Sequence, residues 1–388
     1  YDVPYLDAAS EVEAARVPYK HRMDVYYPTS ALAQDERTPT ACPSGSDAPP
    51  PMPNRPVMVF VHGGGWKRFD RRSLYGMHGN VGRAFARRGF VVCVISYRLS
   101  RLLYTDLTWV YTALSLVIGC STIGALGVEG TKNKLASSFA FLSPFLFGAL
   151  YCFLSAVASK SLSSLWHAPV HHPTHVVDAC TAIAYIARNV SKWGGDASRM
   201  SIMGHSAGGH IVSYLVSHPR YLRDAMRLPL DTPMRTIFHS AVCLSGVYSC
   251  EQLALTRQYT WRKPWLAPLI WLRRMSFLHP AFGTKAEAWP LGFPTTHCAD
   301  TNTLAACQLP PILCINASFD LGLGAHTDEW QEQLLAAGVH TERCTFTPAD
   351  HARYVMQMDT PGSASELIIC DVIHDFLLRT VPAKSSTA

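Results

Sequence analysis

Residues 200–218 read MSIMGHSAGGHIVSYLVSH, and the fold follows from this stretch. Residues 200–203 form a short apolar run of strand type, and residues 207–218 carry a helical run stopped by Pro219. Between them, Gly204-His205-Ser206-Ala207-Gly208 fits the pattern G-x-S-x-G. Glycines on either side of Ser206 let the chain turn sharply from strand to helix, which lifts a hydroxyl to the edge of a sheet above a helix N-terminus. The five residues alone are a weak signal; the flanking strand and helix make it specific.

The same alternation extends outward in both directions. Residues 57–61 (VMVFV) are a continuous apolar run ending in His62-Gly63-Gly64-Gly65-Trp66, residues 74–88 read as a helix, and residues 90–97 (FVVCVISY) as a second apolar strand. A helix is predicted over 173–190, with Val177, Ile183 and Ile186 on its apolar face. Beyond the central stretch come strands at 238–244, 311–316 and 341–346 and helices at 326–337 and 364–378, while residues 21–27 add a short β pattern near the start. Strands apolar on both faces and separated by helices predict an α/β fold with a doubly wound, mostly parallel sheet.

A serine nucleophile needs a base, and the base needs an orienting group, because a free hydroxyl is negligibly ionised at neutral pH. The chain order Ser, acid, His directs the search downstream. Asp320 lies just past the strand at 311–316, and His351 follows the strand at 341–346, so both fall at the same sheet edge as Ser206. Asp350 is the weaker acid candidate because it adjoins His351 in sequence, and Asp328 and Glu329 fall in the next helix. The glycine turn offers backbone N–H groups unobstructed by Cβ atoms, so Gly64, Gly65 and Ala207 are the candidate oxyanion donors. His62, Trp66 and His205 are candidate substrate contacts, with His205 and His210 also readable as structural.

Between residues 97 and 173 the pattern is interrupted. Residues 107–128 contain 22 positions without a charge and residues 135–158 contain 24. As helices these runs would be about 33 to 36 Å long, against about 30 Å of bilayer hydrocarbon. Only residues 129–134 separate them, so the expected form is an inserted hydrophobic helical hairpin that crosses a membrane, the alternative being a pair of buried cap helices. The chain then divides into an N-terminal strand region (1–33), a Pro-rich mobile loop (34–56), the first part of the core (57–100), the insert (101–168) and the rest of the core (169–388), with a cap segment at 255–296. Within that cap Trp261, Trp265, Trp271 and Trp289 interleave with basic residues, which suits a headgroup surface or the lining of an acyl pocket.

Composition narrows the function classes. Of 388 residues, 48% are apolar and 16% charged, enough apolar material for a sizeable core and against general disorder. A net charge of +6 with no run of five like charges argues against a nucleic-acid partner. Twelve cysteines form no CxxC pair, and free thiols suited to a reducing compartment are expected. His167, His171, His172 and His175 match no closed metal site, so no metal or organic cofactor is expected. Asn189-Val190-Ser191 and Asn316-Ala317-Ser318 fit glycosylation sequons but are discounted, the second as buried.

Four segments, residues 61–68 (VHGGGWKR), 96–99 (SYRL), 193–196 (WGGD) and 204–210 (GHSAGGH), together with Asp320 and His351, resemble the α/β-hydrolase fold. The resemblance is to its carboxylesterase branch, which includes hormone-sensitive-lipase-like esterases, kynurenine formamidases and isoprenylcysteine methylesterases. It spans about residues 20–380 without the Pro-rich loop and the insert, and is strongest to the last group. It implies a serine carboxylic ester hydrolase with a Ser206-His351-Asp320 triad. A membrane insert leaving the edge where ligands bind favours a lipid-like or prenylated ester, such as a prenylcysteine methyl ester. The expected location is the endoplasmic reticulum or Golgi membrane with the catalytic domain facing the cytosol. An arylformamidase, a general short-acyl esterase or lipase, and a non-catalytic membrane-tethered binding protein are the other readings, and the oligomeric state stays open.

Overall fold

A computed structural model describes residues 2–6, 20–28, 52–73, 76–100, 170–254 and 274–380. Its strands are β1 (Asp2–Pro4), β2 (Arg22–Tyr26), β3 (Arg55–Val61), β4 (Val91–Ile95), β5 (Gly195–His205), β6 (Ala241–Leu244), β7 (Ile312–Phe319) and β8 (Thr341–Asp350). They form one sheet in the order β1-β2-β4-β3-β5-β6-β7-β8. β2 pairs antiparallel with β1 and with β4, and every pairing from β4 onward is parallel. This is the doubly wound, mostly parallel sheet that the alternation predicts.

Period-two alternation within the apolar strands separates two cores. Val57, Val59, Val61, Val91, Cys93 and Ile95 face one side, with residues of α2 (Thr174–Asn189), α3 (Ala207–Ser217) and α4 (Leu323–Ala336). Met58, Phe60, Val92 and Val94 face the other, with α1 (Met77–Arg87) and α5 (Cys370–Thr380). Each fully buried side chain of this size contributes about 1.5–3 kcal/mol relative to exposure, which is why runs without polar alternation end up at the centre of the sheet.

Several boundaries differ from the sequence reading. Val177 is 38% exposed, and the buried stripe of α2 is Val176, Ala179, Cys180, Ile183 and Ile186. Position 177 lies about 100° around the helix from that stripe, so apolar character alone misplaced it. α1 begins at Met77, after Gly76 in the left-handed region. β5 starts five residues earlier than the apolar run at 200–203, and β8 continues to Asp350 through largely exposed residues that carry no apolar signal. Strand β1, Asp2-Val3-Pro4, carries no apolar pattern that would predict it. All nine described cysteines are free, and burial pushes the Cys93 and Cys314 thiols up to about 12.

The insert at 101–168, the tryptophans at 261, 265 and 271, most of the Pro-rich loop and His167 lie outside the described residues. Among the described residues no helix is long and apolar enough to cross a membrane. The chain on either side of the insert is firmly tied. Ser100 donates its N–H to the Trp66 carbonyl at 2.8 Å, its Oγ is 2.9 Å from His175 Nε2, and Asp178 accepts from Arg98 Nη2 at 2.7 Å and from the Arg98 backbone N–H at 2.9 Å. Asp178 and His175 are buried, so this charge-assisted clasp ties residues 98–100 to α2 beside the glycine turn.

Candidate active site

Parallel strands deliver the loops that follow them to one edge of the sheet. The glycine turn follows β3, Ser206 follows β5, Asp320 follows β7 and His351 follows β8. Ser206 sits at φ 55°, ψ −117°, a strained conformation for a residue with a side chain, and its N–H donates to the Leu244 carbonyl at 2.8 Å. The glycines of the elbow are required by space. A Cβ at Gly204 would lie 2.3 Å from the Gly208 carbonyl oxygen, and one at Gly208 would lie 2.0 Å from the Val61 carbonyl oxygen, so helix and strand touch backbone to backbone.

The sequence-predicted triad residues come together. Ser206 Oγ–H donates to His351 Nε2 at 2.9 Å, and His351 Nδ1–H donates to Asp320 Oδ1 at 2.7 Å. Ser206 and His351 are half-buried and Asp320 is buried. The second carboxylate oxygen of Asp320 accepts from Asn316 Nδ2 at 2.8 Å and from the Ala317 N–H at 3.3 Å. Asn316 was read only as part of a sequon; its burial agrees with that dismissal, and its amide fixes the rotamer of the acid. The neighbouring acids are engaged elsewhere. Asp350 accepts from the N–H groups of Ala352 and Arg353, and Asp328 pairs with Arg343.

The glycine turn packs directly against the elbow. A Cβ at Gly63 would be 2.9 Å from His205 Nδ1 and 3.0 Å from Ser206 Cβ. Gly64 at φ +118° and Gly65 at φ +60° hold conformations that side chains rarely adopt, and Lys67 and Arg68 fold back to donate to the Gly64 carbonyl at 3.2 and 3.0 Å. Ala207 opens α3, where the first N–H groups have no partner within the helix and carry the positive end of its dipole. Phe277 lies 3.2 Å from the position a Gly65 Cβ would take, with Lys67 Nζ 5.2 Å from its ring centre.

The three residues expected to contact substrate are buried. His62 is fully buried, stacks on Tyr97 with ring centres 4.3 Å apart and bonds its own turn through Nδ1 and the Gly63 carbonyl at 2.7 Å. Trp66 is 1% exposed and donates Nε1–H to His210 Nδ1 at 3.2 Å, while His210 Nε2 contacts the Gly292 carbonyl at 2.7 Å. His205 is 3% exposed and bonds the His351 carbonyl through Nε2 at 2.8 Å. Burial holds His62 and His205 well below the ordinary histidine value and His210 down to about 3, so these rings are neutral. The close approach of the glycine turn to the elbow leaves these residues facing inward.

His171 bonds the Pro280 carbonyl, His172 stacks on Phe282, and Trp289 is buried with its Nε1–H on the Gly283 carbonyl. Among the described residues no group of three or more His, Cys, Asp or Glu side chains is arranged to hold a metal.

Comparison with solved structures decides the fold. Esterase B from Lactobacillus rhamnosis superposes with a TM-score of 0.56 at 14% identity, covering 97% of this chain and 85% of that one. The chain has the α/β-hydrolase fold. Within it, residues 175–263 match the carboxylesterase family model and residues 49–105 match the BD-FAE model. Esterase LipC of Mycobacterium tuberculosis is 41% identical over 66 residues, 16% of each chain. The isoprenylcysteine alpha-carbonyl methylesterase ICME of Arabidopsis thaliana is 26% identical over 205 residues, 51% of this chain and 44% of that protein. The matched stretches span less than half the length of these curated relatives.

Proposed function

We propose that this α/β-hydrolase is a serine carboxylesterase. The reading rests on the continuous hydrogen-bond chain from Ser206 Oγ through His351 to Asp320, at 2.9 and 2.7 Å. Ser206 Oγ attacks the ester carbonyl carbon while His351 Nε2 takes the hydroxyl proton, and Asp320 holds the imidazole in the tautomer that does so and stabilises the imidazolium formed. The N–H groups of Gly64, Gly65 and Ala207 hold the oxyanion. Collapse of the tetrahedral intermediate breaks the ester C–O bond, His351 returns the proton to the leaving alcohol, and the same base activates water to release the acid from the acyl-enzyme. No step calls on a cofactor.

The substrate proposed is a lipid-linked ester, a prenylcysteine methyl ester by preference, hydrolysed at an endomembrane with the catalytic domain in the cytosol. Similarity to the plant methylesterase supports the substrate, and the two long charge-free runs that begin beyond a clasp next to the glycine turn support the membrane. Purified full-length protein is expected to take up a fluorophosphonate probe and to hydrolyse p-nitrophenyl acetate, both lost in Ser206→Ala; an unlabelled wild type would refute the esterase. Prenylcysteine methyl ester, N-formylkynurenine and a short acylglycerol assayed side by side test the substrate. Carbonate extraction tests the membrane, the protein remaining in the pellet if the reading holds.

A further inference from the structure

In the sheet order, β6 and β7 stand between β5 and β8. At 4.7–4.9 Å per strand, the loop carrying the base must therefore reach back across roughly 14 Å of sheet to meet the hydroxyl at the end of β5. Both main-chain polar groups of His351 are tethered along that reach. Its N–H donates to the Phe319 carbonyl of β7 at 3.1 Å, and its C=O accepts from His205 Nε2, one residue before the nucleophile, at 2.8 Å. We infer that His205 is a positioning residue for hydrolysis, the tie that registers the base loop against the nucleophile elbow.

This inference rests on the esterase reading above. Three further observations carry it. A single side chain joins three of the four loops of the site, since His205 adjoins Ser206 in sequence, its Nδ1 is 2.9 Å from where a Gly63 Cβ would be, and its Nε2 bonds the His351 peptide. With Nε2–H donating to a carbonyl, the tautomer is fixed and Nδ1 stays unprotonated and buried without a partner. The rings of His205 and His351 have centres 4.9 Å apart, so a neutral His205 leaves no like charge beside the imidazolium that His351 becomes.

The test compares His205→Leu, which fills the space without a donor, with His205→Gln, whose terminal N–H reaches as far as Nε2. Both are assayed in the full chain with p-nitrophenyl acetate, per folded molecule after size exclusion. Because a misplacement of about 1 Å costs about 10²-fold, His205→Leu is expected to lose about 10- to 100-fold in kcat with KM changed less than about 3-fold, and His205→Gln to recover most of the loss. Equal impairment of the two variants, a defect confined to KM, or a folded Leu variant with wild-type kcat each overturns the positioning role. If the Leu variant does not accumulate folded, His205→Asn, whose amide falls short of the carbonyl, replaces it under the same criteria. Failure of the wild type to take up fluorophosphonate would bring down the esterase reading itself, whereas a labelled wild type with an indifferent His205→Leu removes only this inference.

Discussion

Strands β3 and β5 lie in the middle of the sheet, whereas β7 and β8 finish it, and the two regions hold their parts of the site by different means. At the centre, position is set by backbone packed on backbone: Gly204 against Gly208, Gly208 against Val61, Gly63 against the elbow. At the edge, most of β8 is partly or fully exposed, and position is set by side-chain hydrogen bonds: Asn316 on Asp320, Ser318 Oγ to both the N–H and C=O of Ala349 at 3.1 Å, and His205 on the His351 peptide. The centre therefore fails when atoms are added and the edge when donors are removed.

Deleting the nucleophile should have the largest effect. Ser206→Ala is expected to lower kcat at least about 10⁴-fold, as loss of such a serine does in other hydrolases, measured with p-nitrophenyl acetate. Gly208→Ala adds one methyl group where β3 and α3 touch and should cost more than about 3 kcal/mol, read from urea unfolding midpoints. A Gly208→Ala protein of wild-type stability would refute the account of the centre. At the edge, Asn316→Ala should leave the fold intact and reduce kcat about 10-fold, since a freed carboxylate orients the base less well, and an unchanged kcat would show that Asp320 needs no such support.

Acid should loosen the centre. Burial pushes His78 down to about 4 and His175 and His210 down to about 3. Their unfolded forms take protons near 6.5, so the stability these neutral rings provide is complete above that value and is lost as pH falls from about 6.5 toward 3. Urea midpoints should decline steadily between pH 7 and 4.5, by up to about 1.4 kcal/mol per pH unit for each histidine, and a flat profile would contradict the burial of these rings. Smallest of all, Ser318→Ala should change kcat less than about 3-fold, because the His351 N–H keeps its separate bond to Phe319.

The same contrast explains what was legible in the sequence. Continuous apolar runs such as VMVFV and FVVCVISY announce buried central strands, and glycines spaced around a serine announce the elbow, because both leave their mark in residue type. Residues 347–350, which extend β8 up to His351, carry no such mark, and nothing in the sequence around Asn316 shows that its amide meets Asp320. Hydrogen bonds between distant loops have no period to read. His62, Trp66 and His205 face inward, which residue type beside a motif does not show.

The clasp of Ser100 with His175 and of Arg98 with Asp178 has a practical corollary. Both partners of each tie belong to the described core, so the tie should survive exchange of the residues that join them in sequence. A short tether from Ser100 to Val170 is the cut an engineer would try first.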